Sequence, residues 1–274
     1  MTYVATPTRT IDVSGAAFAY RALGPEAGTP LILLHHLTAN LEDWDPRVVD
    51  GLAAERRVIA FDNRGVGGSE GQTPDSVRAM AQDAVAFIAA LGLEQVDLLG
   101  FSLGGFVAQV VAQEHPALVR HLIVAGSGPE GGEGIASMGG VLQAAVAEAG
   151  AAGKHPKHFL FFSRSPNGQK AADAFLSRLN ERTSDRDAPV SNETIGAQIA
   201  AITAWGQGAP SLGAVRHPVL VVNGDRDVMA PSVNTMALAA QLPNAQLSIF
   251  PDAGHGGIFQ YHDSFVGQAL DFLR

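Results

Sequence analysis

The chain has 274 residues, a formal net charge of −9 and no cysteine, and 46% of its residues are hydrophobic. A chain of this length and apolar content can bury one large core. Its acidic balance and the lack of any Lys/Arg-rich run argue against nucleic acid or an anionic membrane surface as a partner. Without cysteine there is no disulfide framework, no thiol nucleophile and no Cys-based metal site.

The N-terminal sequence has neither the basic start nor the apolar stretch of a signal peptide. No apolar run in the sequence approaches the roughly 20 residues that span a bilayer. We therefore expect a soluble, cytoplasmic protein with no membrane partner. The oligomeric state stays open, and a homo-oligomer is compatible with the sequence.

The first half of the chain predicts a hairpin followed by alternating strands and helices. Two short alternating strands around Ser14-Gly15 indicate the hairpin. The aliphatic runs that follow are a few residues long, as is typical of buried strands in a parallel sheet. The hairpin covers residues 8–24, the predicted strands residues 30–36, 57–62, 96–101 and 119–126, and the predicted helices residues 44–55, 75–92 and 103–114.

The alternation breaks at about residue 128 and resumes after about residue 210. The segment between is first glycine-rich and then alanine-rich, with no convincing strand. We predict an α/β fold with a mostly parallel sheet of about eight strands, helices on both faces and an inserted helical cap. The core would comprise residues 1–127 and 211–274. The cap, residues 128–210, would cover the C-terminal ends of the strands.

Two stretches match the pattern G-x-S-x-G, residues 100–104 and residues 67–71. In the first, an apolar run ends at the serine and an amphipathic pattern begins directly after it. The glycines of this stretch permit a tight turn, because a bulkier residue would collide with neighbouring backbone. In the second, Ser69 lies past the nearest apolar run and is followed by turn residues. The context favours Ser102 as a nucleophile on a strand-to-helix elbow, the alternative being a turn without chemistry.

A serine nucleophile needs a base that takes its proton and a third group that holds the base in one tautomer. Both should lie on loops that follow later strands of the sheet. Of the nine histidines, His255 alone follows such a strand, between glycines that leave room for a substrate. Asp225 follows Gly224 and can serve the turn itself. We therefore predict Ser102, Asp227 and His255 as catalytic, with an inert loop histidine as the alternative for His255.

Acyl transfer also requires N–H donors that stabilise an oxyanion. The backbone N–H of Leu103 lies at a helix N-terminus directly after the nucleophile. The loop after the strand at residues 30–36 should supply the second donor, for which we predict the N–H of Leu37.

Four signatures occur in order along the chain: LLHHLT, DNRGVGGS, GFSLGG, and GDRDVMAP followed by GH. Together they resemble the α/β-hydrolase superfamily over almost the full length. The resemblance implies that Ser69 belongs to a structural loop of the family. Within the superfamily the chain is most similar to small cap-bearing esterases, cofactor-free haloperoxidases (perhydrolases) and 3-oxoadipate enol-lactonases. It differs from epoxide hydrolases and haloalkane dehalogenases, which carry aspartate at the nucleophile position.

One position departs from the family pattern. His36 stands where the family usually has glycine, so the loop that carries Leu37 is expected to follow a different backbone path. His36 can contact substrate or serve the structure. Met229 and, from the cap, Trp205 are further candidates for the pocket wall, beside Leu37 and Leu103. The alternative for Trp205 is the core of the cap.

These features predict a serine hydrolase that cleaves a small, mostly apolar carboxylic ester or lactone through an acyl-enzyme. A carbon–carbon bond hydrolase or a perhydrolase on the same triad is an alternative, and a slow-turnover receptor of hydrolase fold is an alternative from another class. We expect no cofactor and no metal, since there is no H-E-x-x-H motif and adjacent histidines of a strand point to opposite faces. The sequence leaves the acyl and alcohol parts of the substrate open.

Overall fold

A single sheet of eight strands organises the computed structural model, which describes residues 1–210 and 212–274. The spatial order of the strands is β1-β2-β4-β3-β5-β6-β7-β8. The pairs β1–β2 and β2–β4 are antiparallel and all other pairs are parallel. The strands are β1 Arg9–Val13, β2 Ala16–Leu23, β3 Leu31–Leu34, β4 Val58–Phe61, β5 Val96–Phe101, β6 Val119–Ala125, β7 Val219–Gly224 and β8 Ala245–Phe250.

Helices cover both faces of this sheet. Every residue of β3, β4, β5 and β7 is buried, which requires packing on both sides. The helix α1 packs on α10, and α2 packs on α3. The predicted α/β fold is confirmed. The core helices are α1 Pro46–Ala53, α2 Val77–Ala90, α3 Leu103–Glu114, α8 Ser232–Gln241, α9 Gly257–Gln260 and α10 His262–Phe272.

Four further helices lie between β6 and β7: α4 Met138–Ala152, α5 Lys157–Leu160, α6 Pro166–Leu179 and α7 Asn192–Gly206. The described residues of this segment, which we call the cap, contain no strand. An ion pair fastens it to the core, since Arg178 contacts Asp45 through two nitrogens, the shorter distance being 2.6 Å. The boundaries at residues 128 and 210 remain an interpretation.

One stretch of the cap is more apolar than we expected from the sequence. Residues Ile135–Ala152 are long and apolar enough, by length and composition alone, to cross a membrane. A single stretch of this kind is weak evidence for a span, and only 22% of it is buried in the molecule. Its helix α4 contributes Leu142 and Val146 to the wall of the cavity described below.

A contact between two carboxyl groups also joins the cap to the core. Asp62 is fully buried and accepts N–H bonds from Leu41 (2.9 Å) and Gly68 (3.2 Å). Burial first, and then the hydrogen bond and negative charge of Asp187, raise the pKa of Asp62 well above its ordinary value. Burial and the neighbouring carboxylate therefore favour a proton on Asp62, which an isolated, exposed carboxylate would release at lower pH.

We expect Asp187→Asn to raise the melting temperature more at pH 8 than at pH 5, by roughly 2–4 °C. An acid whose pKa is raised by folding stabilises the fold at low pH, and this contribution is lost as the pH rises through the folded-state pKa. Asparagine donates a hydrogen bond to Asp62 without needing that proton. Thermal unfolding at both pH values measures the effect, with the exposed Asp75→Asn as control. Equal shifts at the two pH values would contradict the raised pKa of Asp62.

Candidate active site

Ser102 lies on a sharp turn between β5 and α3. Its φ of 56° is in the left-handed region that non-glycine residues rarely adopt. The turn is tight on both sides, because a Cβ at Gly100 would strike the carbonyl oxygen of Gly104, and one at Gly104 would strike that of Leu34. Strain of this kind persists where the surrounding structure holds it, and it is concentrated at functional sites. The geometry is that of a nucleophile elbow.

Ser69, in the second G-x-S-x-G stretch, has a different environment. It is buried, its Oγ accepts a hydrogen bond from the N–H of Ala19 (2.9 Å), and its hydroxyl donates to the carbonyl of Asp62 (2.7 Å). The first bond holds the loop after β4 against β2, and the second closes this loop on its own backbone. The hydroxyl is committed to the structure of this loop.

His255 and Asp227 meet at the C-terminal ends of β7 and β8. His255 Nδ1 donates to Asp227 Oδ2 at 2.8 Å, and both side chains are buried. Asp227 Oδ1 accepts the N–H groups of Met229 (2.7 Å) and Ala230 (3.0 Å), which fixes the carboxylate. Because Nδ1 carries the proton, Nε2 of the neutral ring is free to accept one. The arrangement can hold a general base in one tautomer.

Asp225, the other aspartate of this loop, serves the turn. Its Oδ1 accepts the N–H of Ala253 at 3.3 Å. The structure thus brings Asp227, and not Asp225, to the histidine.

One cavity connects Ser102 to His255. Its volume is about 630 Å³, and the described residues that line it include His36, Leu37 and Met229. Most of the wall is apolar, with cap residues that include Leu142, Val146, Leu160, Phe161, Ile195 and Ile199.

Two sequence-predicted wall residues lie outside the cavity. Trp205 stacks on Phe106 with ring centres 5.4 Å apart, and its Nε1 donates to the carbonyl of Gly128 at 3.4 Å. It fills the junction between the cap and α3, so its assignment to the substrate pocket is wrong. Leu103 is fully buried, and its side chain does not line the cavity.

The two predicted oxyanion donors lie at adjacent chain segments. Gly104, at the start of α3, is in close backbone approach to Leu34, at the end of β3. Within the described chain, neither the N–H of Leu103 nor that of Leu37 donates to a protein acceptor. The helix dipole adds positive potential at Leu103. The two N–H groups are available for a ligand oxygen, and their role remains a prediction.

His36 is held in an aromatic cluster beside the cavity. Its ring packs edge-on against Phe101 (5.3 Å) and Phe161 (5.0 Å), and its Nδ1 donates to the carbonyl of Leu37 at 2.6 Å. Burial, and then the nearby Lys157, lower the pKa of His36 well below its ordinary value, so the ring is neutral. The left-handed residue of this loop is Thr38, with φ 65°, so histidine fits where the family usually has glycine.

Sequence reasoning missed Lys157, which also lines the cavity. Its Nζ is bonded to Asp43 of the core, and the residue is only 7% exposed. Burial alone would raise the pKa of Asp43, but the ammonium of Lys157 brings it down to about 2. A signal was present in the sequence, since this lysine directly precedes the apolar HFLFF run. Its partner is more than a hundred residues away and no local pattern identifies it.

The described residues contain no group of three or more His, Asp or Glu side chains placed to hold a metal ion. The expectation that no metal is needed therefore stays a prediction, which activity measurements can test.

The sheet, the strained serine turn and the histidine–aspartate pair are together typical of an α/β-hydrolase fold. The model of the family described as "alpha/beta hydrolase fold" matches residues 29–260. The chain belongs to this family.

Among solved structures, it is similar to an alpha/beta hydrolase fold protein from Chitinophaga pinensis, with 42% identity, a TM-score of 0.95, and coverage of 100% of this chain and 99% of that one. Among curated proteins, 2-hydroxymuconate semialdehyde hydrolase of a Pseudomonas species is 30% identical over 90% of this chain and 87% of its own. The dihydrolipoyllysine-residue acetyltransferase component of the acetoin cleaving system of Pseudomonas putida is 30% identical over 96% of this chain and 68% of its own. The hydrolases among these relatives support a hydrolase of this superfamily.

Proposed function

We propose that the protein is a serine hydrolase that cleaves a small, mostly apolar carboxylic ester or lactone through an acyl-enzyme. The observation that carries the proposal is the convergence of Ser102, on its strained elbow, and the Asp227-bound His255 on one cavity. Small-molecule partners, a cytoplasmic location and independence of cofactors, nucleic acid and membranes are part of the same proposal.

In the mechanism that follows, Ser102 Oγ attacks the carbonyl carbon of the substrate and His255 Nε2 takes its proton. Asp227 keeps the imidazole in the required tautomer and stabilises the imidazolium. The N–H groups of Leu103 and Leu37 stabilise the oxyanion. The imidazolium then protonates the departing alcohol, and water activated by His255 hydrolyses the acyl-enzyme.

The cavity supports a short to medium acyl group. A volume of about 630 Å³ accommodates a small ligand, and the mostly apolar wall rewards each buried methylene by about 0.8 kcal/mol. The cap supplies part of the wall of this volume, and we expect it to disfavour long lipids. The lysine in the wall is already paired with Asp43, so a substrate with a free carboxylate would lose hydration without gaining an unpaired cation.

A carbon–carbon bond hydrolase is the second candidate, and the relative named 2-hydroxymuconate semialdehyde hydrolase keeps a substrate other than an ester or lactone under consideration. A perhydrolase would use the same triad. A receptor of hydrolase fold would stall after about one equivalent of product, whereas an enzyme releases many. Measured turnover separates the receptor from the enzymes, and the substrate that is turned over separates the enzymes from one another.

We expect a panel of p-nitrophenyl esters and lactones to show multiple turnovers with short and medium acyl chains, and poor activity on triglyceride emulsions. Activity should survive dialysis against a chelator, because the proposed chemistry requires no metal. Loss of activity that zinc restores would overturn the metal-free mechanism. A strong preference for emulsions would overturn the proposed role of the cap.

A further inference from the structure

A buried ammonium faces the proposed catalytic pair from the cap. Lys157 belongs to the short helix α5, its side chain is 9% exposed, and it lines the same cavity as Ser102 and His255. Its Nζ lies 5.5 Å from the centre of the Phe161 ring, and that ring lies 5.5 Å from the ring of His255. The Phe161 ring is therefore a neighbour of both the ammonium and the proposed base.

A carboxylate of the core already compensates the charge of Lys157. Asp43, in the turn after β3, accepts a hydrogen bond from Lys157 Nζ through Oδ1. Its Oδ2 accepts the backbone N–H of Asn40 at 3.0 Å. Because its pKa is about 2, Asp43 is ionised throughout the neutral range. The ion pair as a whole is neutral.

One carboxylate oxygen does not use the full hydrogen-bonding capacity of an ammonium. A lysine ammonium carries three N–H donors. In the part of the chain that the structure describes, Asp43 is its one hydrogen-bond acceptor, and the rings of Phe161 and Phe175 are its aromatic neighbours. The remaining N–H donors of this cavity-lining ammonium can bond an oxygen of a cavity occupant.

Because the ion pair of Lys157 and Asp43 is neutral, it favours an uncharged oxygen of a ligand over a carboxylate. A carboxylate would place a second anion close to Asp43, and its desolvation would be poorly repaid. A ketone or amide oxygen accepts the same hydrogen bond without adding charge. Leu142, Leu160 and Met229 give the rest of the wall an apolar surface for hydrocarbon.

We propose that Lys157, held in place by Asp43, is a specificity-determining residue that binds a second, neutral carbonyl oxygen in the acyl part of the substrate. The inference rests on the proposed serine hydrolase activity and names its substrate class as oxo- or amido-acyl esters and lactones. Plain alkanoyl esters and esters with a free carboxylate are poorer substrates.

Three p-nitrophenyl esters of similar length test the proposal: 5-oxohexanoate, hexanoate and hydrogen glutarate. We expect the wild-type kcat/KM for 5-oxohexanoate to exceed that for hexanoate about tenfold or more, the effect of a hydrogen bond to a charged donor. In the double variant Lys157→Met/Asp43→Asn this ratio should fall to about one. The double variant preserves the packed stem and leaves no unpaired buried charge. Lys154→Met, an exposed lysine of the same segment, should keep the wild-type ratio.

The single variant Asp43→Asn provides a second test, in which the preference for a charged ester should increase. It leaves the ammonium without its carboxylate, so the glutarate ester should gain relative to hexanoate. A wild-type ratio of 5-oxohexanoate to hexanoate near one, a double variant that keeps the wild-type ratio, or no gain for glutarate would overturn the proposal. If Lys157 only fastened the cap to the core, the double variant would have a lower melting temperature, and the relative kcat/KM values of the three esters would be unchanged.

Failure of the serine hydrolase proposal has a separate signature, which is no hydrolysis of any ester or hydrolysis that survives Ser102→Ala. The subsite is then tested without turnover. Methyl 5-oxohexanoate should bind the Ser102→Ala protein more tightly than methyl hexanoate in calorimetry, and Lys157→Met/Asp43→Asn should abolish the difference. Equal binding of the two esters would refute the subsite.

Discussion

Ser102→Ala should lower kcat by ~10⁴-fold or more while the fold stays intact. The hydroxyl is the proposed attacking group, and the remaining N–H donors can bind the ester but cannot form the acyl-enzyme. A methyl group fits where the hydroxymethyl stood, so no new contact is forced on the elbow. Steady-state rates on a p-nitrophenyl ester, with a melting curve beside them, measure the change.

Ser69→Ala is the matched control, since it removes the serine of the other G-x-S-x-G stretch. It breaks two buried hydrogen bonds, to Ala19 and Asp62, and should cost stability. Its kcat should stay close to that of the wild type. Equal losses of kcat in the two variants, or no loss in Ser102→Ala, would contradict the assignment of the nucleophile.

Asp227→Asn should lower kcat by up to ~10⁴-fold with little change in KM. The asparagine oxygen can still accept the N–H groups of Met229 and Ala230, so the side chain keeps its place. Its amide group would then donate to His255 Nδ1, which forces the proton of the imidazole onto Nε2. Because a protonated Nε2 cannot take the proton of Ser102, the base is lost while the geometry remains.

The neighbouring Asp225→Asn provides the comparison for this effect. Asp225 contacts the backbone of Ala253 and no catalytic candidate, so its variant should keep kcat within about threefold. If Asp225→Asn were the damaging change and Asp227→Asn the mild one, the wrong carboxylate would have been assigned.

The fold was predictable because short aliphatic runs alternate with amphipathic ones over most of the chain. Strands such as β5 and β7 are buried at every position, and burial on both faces leaves a continuous apolar run in the sequence. The elbow was predictable for the same reason, since the run that ends at Phe101 and the helix that begins at Leu103 enclose a single serine.

The choice between the two aspartates of one loop depended on the distance each must span. Asp225 directly follows β7 and bonds the backbone, whereas Asp227 lies two residues further and reaches His255. The position of Asp227 two residues further from the end of β7 was enough to favour it over Asp225. The structure brings the pair together, and the variants above test what it does.

The wall of the cavity was less predictable, because it depends on how the cap docks. Trp205 lies on α7 and was a candidate for the pocket wall, but its ring stacks on the ring of Phe106 instead. Lys157 shows the opposite case, because it was not predicted in the wall and yet lines the cavity. A lone lysine in an apolar segment predicts an exposed side chain, and only the distant Asp43 explains its burial.

The most direct test of the account is the site labelled by a serine-directed fluorophosphonate. The reagent forms a stable adduct with a serine only where a base activates the hydroxyl and N–H donors stabilise the oxyanion. Peptide mass spectrometry should find one adduct per chain, on Ser102, and Asp227→Asn should slow its formation. An adduct on Ser69 or another serine, or no adduct in an active preparation, would contradict the central claim that Ser102 is the nucleophile.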